Sequence, residues 1–261
     1  MKTGKYQIVS FGGAIQHPNH DPQKTEEWGD DWVIWPVDGY GNQDQVRAMI
    51  RQQKPDILWF MTDPRFYSWL WEIENEIRAF RKAKGLEEKF VCFWNNRNAR
   101  RKQSGTLLWW FKEFVDRVGK DKAVLIMHTD VKDQHGQDLE AIIHELGLLD
   151  GEVLFSRDKI GLADLAMCYN IADLTINIAD AEGFGLATLE SLSCATPILV
   201  NMTGGLQDQV TDGEGNWFGI GLEPSSKAVI GSQNVPYIYE DRVNKEEFLD
   251  AMVKLYEMGP E

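Results

Sequence analysis

The chain has 261 residues, 43% hydrophobic and 26% charged, and a formal net charge of −14. That acidity argues against nucleic-acid binding except at a local basic face, and no apolar run reaches the roughly 18 residues a membrane helix needs. Cys92, Cys168 and Cys194 are odd in number and widely spaced, so buried free thiols are expected rather than a disulfide framework or zinc knuckle.

The length suits one large α/β domain or two small ones. The first apolar stretch is too short and interrupted for a signal peptide. The expected location is the cytoplasm, either free or peripheral to a membrane. Ten tryptophans are many for this length. Most are expected in the core, with sugar- or base-stacking surfaces as the other use.

In chain order, 6–11 and 31–37 read as strands, 41–53 as a helix ended before Pro55, and 56–61 as a third strand. Asp63-Pro64 then caps an amphipathic helix over 65–83, with Phe66, Trp69, Leu70, Ile73, Ile77 and Phe80 at helical spacing. A polar join follows, dividing 1–84 from 85–261. Beyond it, strands are expected at 90–94, 123–128, 152–156, 174–179 and 197–201. Helices are expected at 104–118, 137–146, 162–171 and from about Leu186. A last helix runs to about Tyr256 behind a possible Asn244/Glu247 capping box. Such alternation implies a parallel sheet with helices on both faces. Ligands of these sheets bind beyond the carboxyl ends of the strands.

The segment after strand 174–179 reads DAEGFGLATLE, with Glu182 and Glu190 bracketing a Gly183-Phe184-Gly185 turn. The glycines allow a tight turn and a close approach of backbone to ligand. The helix opening at Leu186 offers unpaired N–H groups and a positive dipole end, a ready anion site. Glu182 stands beside whatever the phosphate carries, and Glu190 lies about a turn inside the helix. Sugar, diphosphate and ribose would fit that layout. The bland alternative is a solvated loop glutamate and a helix-terminus charge.

The wider run continues through Cys194, Pro197 and Gly204-Gly205. In that order these features resemble the retaining GT-B glycosyltransferases of the glycogen-synthase-like and sucrose-synthase-like superfamily, often called family 4. The resemblance extends from about Phe90 to the C-terminus. It implies a Rossmann-like donor domain over 85–261 with a smaller α/β domain before it. It also implies transfer of a sugar from a nucleotide-diphosphate sugar, with retention of configuration and without a metal or other cofactor. Arg97 and Lys102 match the two cations that clamp the donor diphosphate in the family, where positive charge assists the leaving group. Glu182 would hold the donor sugar near the reacting carbon as the catalytic-site carboxylate, and Glu190 the ribose. Gly183, Phe184, Gly185 and Leu186 would complete the donor loop. His128, Thr129, Arg101 and Ser156 are further candidates. The acceptor, a glycan, lipid or small molecule, is not identified by any motif.

Two small departures occur. Ala195 stands where the family has glycine, which is tolerable only with φ below zero, and Asp208 stands where glutamate is common. The larger departure is the short first domain, which looks curtailed at its start and middle. Exposed apolar surface, or a homo-oligomer covering it, is therefore expected. His17, His20 and Asp21 could ligate a metal but lack a further partner nearby, so a polar loop is expected there. The alternatives to a transferase are a non-catalytic nucleotide-sugar-binding module, a truncated inactive homologue, or a nucleotide-sugar epimerase.

Overall fold

The computed structural model describes residues 8–13, 32–37, 48 and 72–259. The expected strand at 56–61, the helix at 41–53 apart from helical Ala48, the start of the helix at 65–83, and the loop with His17, His20 and Asp21 lie outside them. The chain divides into two compact units, Met1–Glu76 and Ile77–Glu261. In the first, β1 (Ile8–Gly13) pairs in parallel with β2 (Trp32–Val37). Helix α1 (Glu72–Ala83) spans the division, ahead of the join expected at 84/85.

The second unit holds a six-stranded parallel sheet. Its strands are β3 (Phe90–Asn95), β4 (Ala123–His128), β5 (Val153–Ser156), β6 (Leu174–Asn177), β7 (Ile198–Asn201) and β8 (Gly219–Leu222). They lie in the order β5-β4-β3-β6-β7-β8. The crossovers carry α2 (Ser104–Val118), α3 (Leu139–Leu146), α4 (Leu162–Asn170), α5 (Leu186–Ser193) and the short α6 (Gln207–Val210). A hairpin of β9 (Ser226–Ile230) and β10 (Ile238–Arg242) stands outside the sheet, and α7 (Lys245–Met258) closes the described chain.

Strand β3 shows why the sequence folds this way. Phe90 through Trp94 are all buried, because helices cover both faces of a parallel sheet. Its side chains alternate between two cores. Phe90, Cys92 and Trp94 pack with Leu107, Phe111 and Phe114 of α2 and with Phe248 and Met252 of α7. Val91 and Phe93 pack on the other side with Val124, Tyr169 and Ile171, and Ile77 and Phe80 of α1 lie against that cluster. Arg81 locks α1 in place. Its guanidinium donates to the carbonyls of Ile171, Leu86 and Lys89 and pairs with Asp173 at 2.9 Å.

At the start of α7, Asn244 accepts from the N–H groups of Glu246 and Glu247, as an N-cap should. The tryptophans divide: Trp94 and Trp110 are core residues, whereas Trp109 and Trp217 are exposed. Cys92 is fully buried, which pushes its thiol up. Cys168 and Cys194 are only part-buried, so the expectation of buried thiols holds fully for one of the three.

Ala195 departs from expectation. Its φ is +59°, in the left-handed region rather than below zero. The residue follows the end of α5, where its N–H donates to the Leu192 carbonyl and the Thr196 N–H to Ser191. Those bonds close the helix and require the left-handed bend that glycine adopts at least cost. Ala195→Gly is therefore expected to raise stability by about 1 kcal/mol. Urea unfolding should show the gain in its midpoint, and an unchanged or lower midpoint would count against the strain.

Candidate functional site

Strands β3 and β6 are neighbours at the centre of the sheet, and their connections leave toward opposite edges. That reversal opens a crevice at the carboxyl ends of the two strands. Five adjacent strands end there on a polar residue: Ser156, His128, Asn95, Asn177 and Asn201. His128 Nδ1 lies 2.9 Å from Ser156 Oγ, in register across β4 and β5. Thr129 follows on β4 with its buried hydroxyl unpartnered. Asn177 Nδ2 and Asn201 Oδ1 are also buried without a partner.

Two loops meet over this crevice, 96–103 after β3 and 178–185 after β6. The Asp180 N–H donates to the Arg101 carbonyl at 2.8 Å, and Gln103 Nε2 donates to Asp180 Oδ2 at 2.5 Å. A 3-10 turn, Arg100–Lys102, ends at Gln103, whose φ of +57° redirects the chain into α2. The turn drives Lys102 inward until 7% of it is exposed, and its ammonium pairs with Glu182. Burial pulls the Lys102 ammonium below its ordinary range, while the hydrogen bond to Glu182 acts the other way. Arg101 donates to the Ala181 carbonyl and lies 3.8 Å from Glu182.

Arg97 is placed elsewhere. It forms a two-point pair with Asp133, at 2.6 and 3.1 Å, and holds that carboxyl down at about 2. The structure thus brings Arg101 and Lys102 to Glu182, and puts Arg97 with Asp133. Arg100 pairs with Glu240 on β10 at 2.5 Å, which ties the hairpin to the same loop. The Asp241 N–H donates to the Asp180 carbonyl at 2.7 Å and adds a second tie.

Gly183, Phe184 and Gly185 form the expected turn into α5. Gly185 has φ +86° and serves as the N-cap of the helix beginning at Leu186. No side chain caps that first turn, and it holds no acidic residue. Phe184 and Leu186 are exposed at its mouth. The turn is held from behind by Gln209, which composition and spacing did not single out. Gln209 Nε2 donates to the Phe184 and Gly185 carbonyls at 2.5 and 3.2 Å, and its Oε1 accepts from Thr188 at 2.6 Å. The Gly205 N–H donates to the Gly183 carbonyl at 2.9 Å. One turn into α5, Glu190 reaches back to Tyr169 and Asn95.

The arrangement sets two carboxylates, two cations and an uncapped helix end around one crevice. A diphosphate suits the cations and the helix end. Hydroxyl-rich groups suit the carboxylates. Among the described residues no cluster of three or more His, Cys, Asp or Glu is gathered as for a metal. No helix among them is long and apolar enough to cross a membrane.

The sequence profile of the family described as "Glycosyl transferases group 1" matches residues 76–230. A D-inositol 3-phosphate glycosyltransferase of Paenarthrobacter aurescens is 32% identical over 91 residues, which is 35% of this chain and 22% of that protein. Among solved structures, WaaG, "a glycosyltransferase involved in lipopolysaccharide biosynthesis", is similar with a TM-score of 0.55 at 15% identity. That match covers 89% of this chain and 55% of WaaG. Anabaena HepE in complex with UDP-glucose gives a TM-score of 0.53 at 17% identity, over 70% of this chain and 43% of HepE. These two likenesses show that the chain shares their fold. The chain spans under a quarter of the length of the Paenarthrobacter relative, and 43% and 55% of the two structures.

Proposed function

Because the chain belongs to the glycosyl transferases group 1 family, we propose that the crevice between β3 and β6 binds a nucleotide-diphosphate sugar whose sugar is transferred to an acceptor hydroxyl. The acceptor is a glycan, a lipid or a small molecule. The observation that carries this reading is the convergence of Lys102 and Arg101 on Glu182 beside the uncapped start of α5.

Each group then has a task. Lys102, Arg101 and the α5 N–H groups take the negative charge that grows on the diphosphate as it leaves. Glu182 accepts hydrogen bonds from hydroxyls of the donor sugar, beside the reacting carbon. Glu190 accepts from the ribose. The bond from the anomeric carbon to the diphosphate oxygen breaks, and a bond to the acceptor oxygen forms on the same face. Because the new bond forms on the face the diphosphate leaves, configuration is retained, and the acceptor proton passes to the departing phosphate oxygen. Positive charge comes from side chains and the helix end, and no metal is assigned a role. HepE was crystallised with UDP-glucose, so uridine diphosphate sugars head the donors to test.

The test is calorimetric titration of the purified chain with UDP, GDP and ADP and their common sugars, with Glu190→Ala alongside. One nucleotide should bind selectively, with EDTA making no difference, and the variant should lose about tenfold in affinity or more. Binding to none of them by a chain shown to be folded would contradict the proposal.

A further inference from the structure

Two side chains from separate elements meet at Glu190. Tyr169, at the end of α4, donates its hydroxyl to Glu190 Oε2 at 2.7 Å. Asn95, at the end of β3, donates Nδ2 to the Tyr169 hydroxyl at 2.8 Å and lies 3.4 Å from the same Oε2. These contacts load one carboxylate oxygen, Oε2, from the protein side. A carboxylate has about four acceptor positions on two oxygens, so Oε1 keeps its acceptor capacity for a ligand.

Tyr169 is built to hold this position. It is 1% exposed, and its ring meets Phe93 edge-on at 4.9 Å. Its carbonyl accepts from the Thr196 hydroxyl at 2.8 Å, across from the end of α5. Burial, with Glu190 nearby, pushes the phenol well above its ordinary range, so the hydroxyl remains a donor across the physiological pH range. A phenol in a rigid pocket has little freedom to choose another acceptor. Its hydroxyl holds the Glu190 carboxylate by Oε2.

We propose that Tyr169 and Asn95 are positioning residues that orient Glu190 so that Oε1 reads a vicinal pair of ribose hydroxyls. This deepens, and rests on, the donor-site proposal above. A carboxylate locked by its far oxygen discriminates a diol from a single hydroxyl better than one free to rotate. The discrimination follows because a missing hydroxyl cannot be replaced by a rotated geometry.

The test compares ribonucleoside diphosphates with their 2′-deoxy and 3′-deoxy counterparts in the uridine, guanosine and adenosine series. The wild-type chain should prefer the ribonucleotide by roughly tenfold or more. Tyr169→Phe should weaken ribonucleotide binding about tenfold and leave deoxynucleotide binding nearly unchanged, so that the preference collapses. Asn95→Ala should act in the same direction with a smaller effect, and it serves if Tyr169→Phe fails to fold. A purely structural role would weaken both kinds of nucleotide alike, and that result would overturn the proposal. So would a folded variant that keeps the full ribose preference. A wild type that binds nucleotides without preferring ribose would overturn this inference and leave the donor site standing. A folded wild type that binds no nucleotide would overturn both.

Discussion

Lys102→Met is expected to weaken nucleotide-sugar binding by about 100-fold and to lower stability by about 3 kcal/mol. The first effect is the loss of charge-assisted hydrogen bonds to the diphosphate, each contributing about 1.5–3 kcal/mol. The second has a different cause. Lys102 and Glu182 are both largely buried, with side chains 9% and 11% exposed. Removing one partner strands the other charge away from water, a change that costs about 3–5 kcal/mol in comparable buried pairs. The two effects separate in a double variant. Lys102→Met with Glu182→Gln removes the stranded charge and should recover most of the lost stability. It should not recover binding, because the cation is still missing. A double variant that is stable and binds normally would show that Lys102 does not touch the diphosphate.

Gly204→Ala is the second large effect expected. Gly204 has φ +51°, and a methyl group built there would lie 1.7 Å from the Glu182 carbonyl oxygen. The obstacle is backbone, not the end of a flexible side chain. Either the Gly204-Gly205 turn or the Glu182 loop must move by more than an ångström. The loop cannot move freely, since the Gly205 N–H and Gln209 hold the turn that follows it. The expected outcome is a loss of about 3 kcal/mol of stability together with loss of donor binding. Gly183→Ala supplies the contrast. Open space surrounds its Cβ position and its φ is ordinary for an L-residue. That variant should cost under about 1 kcal/mol. Thermal unfolding of the pair distinguishes the account from a generic intolerance of the loop to alanine. Equal losses in both variants would contradict it.

Much of the fold could be read from the chain because its signals are local. The buried strands stand out as short apolar runs, and β4 spans the expected residues 123–128 while α2 spans 104–118. Strands β8, β9 and β10 were not expected. GIGL offers two apolar residues between glycines, and the β9–β10 hairpin is largely exposed, so neither carries a burial pattern. The site divides in the same way. The Gly183-Phe184-Gly185 turn and its two flanking glutamates are contiguous and therefore legible. The partners of Glu190 are not. Tyr169 and Asn95 lie 21 and 95 positions away and meet it only through sheet order. Gln209 supports the turn through backbone carbonyls, which no side-chain motif records. The family resemblance pairs Arg97 with Lys102, and the fold sets Arg101 beside Lys102 at Glu182 and Arg97 beside Asp133. Ala195 shows the reverse case, a departure visible in the sequence whose backbone consequence required the structure.

The measurement that tests the central claim most directly is a crystal structure of the chain with the nucleoside diphosphate it binds best. The diphosphate oxygens should lie within hydrogen-bond distance of Lys102 Nζ and of the first N–H groups of α5, with the ribose against Glu190. A nucleotide bound away from the crevice between β3 and β6, or in the crevice with its diphosphate turned from Lys102, would contradict the account.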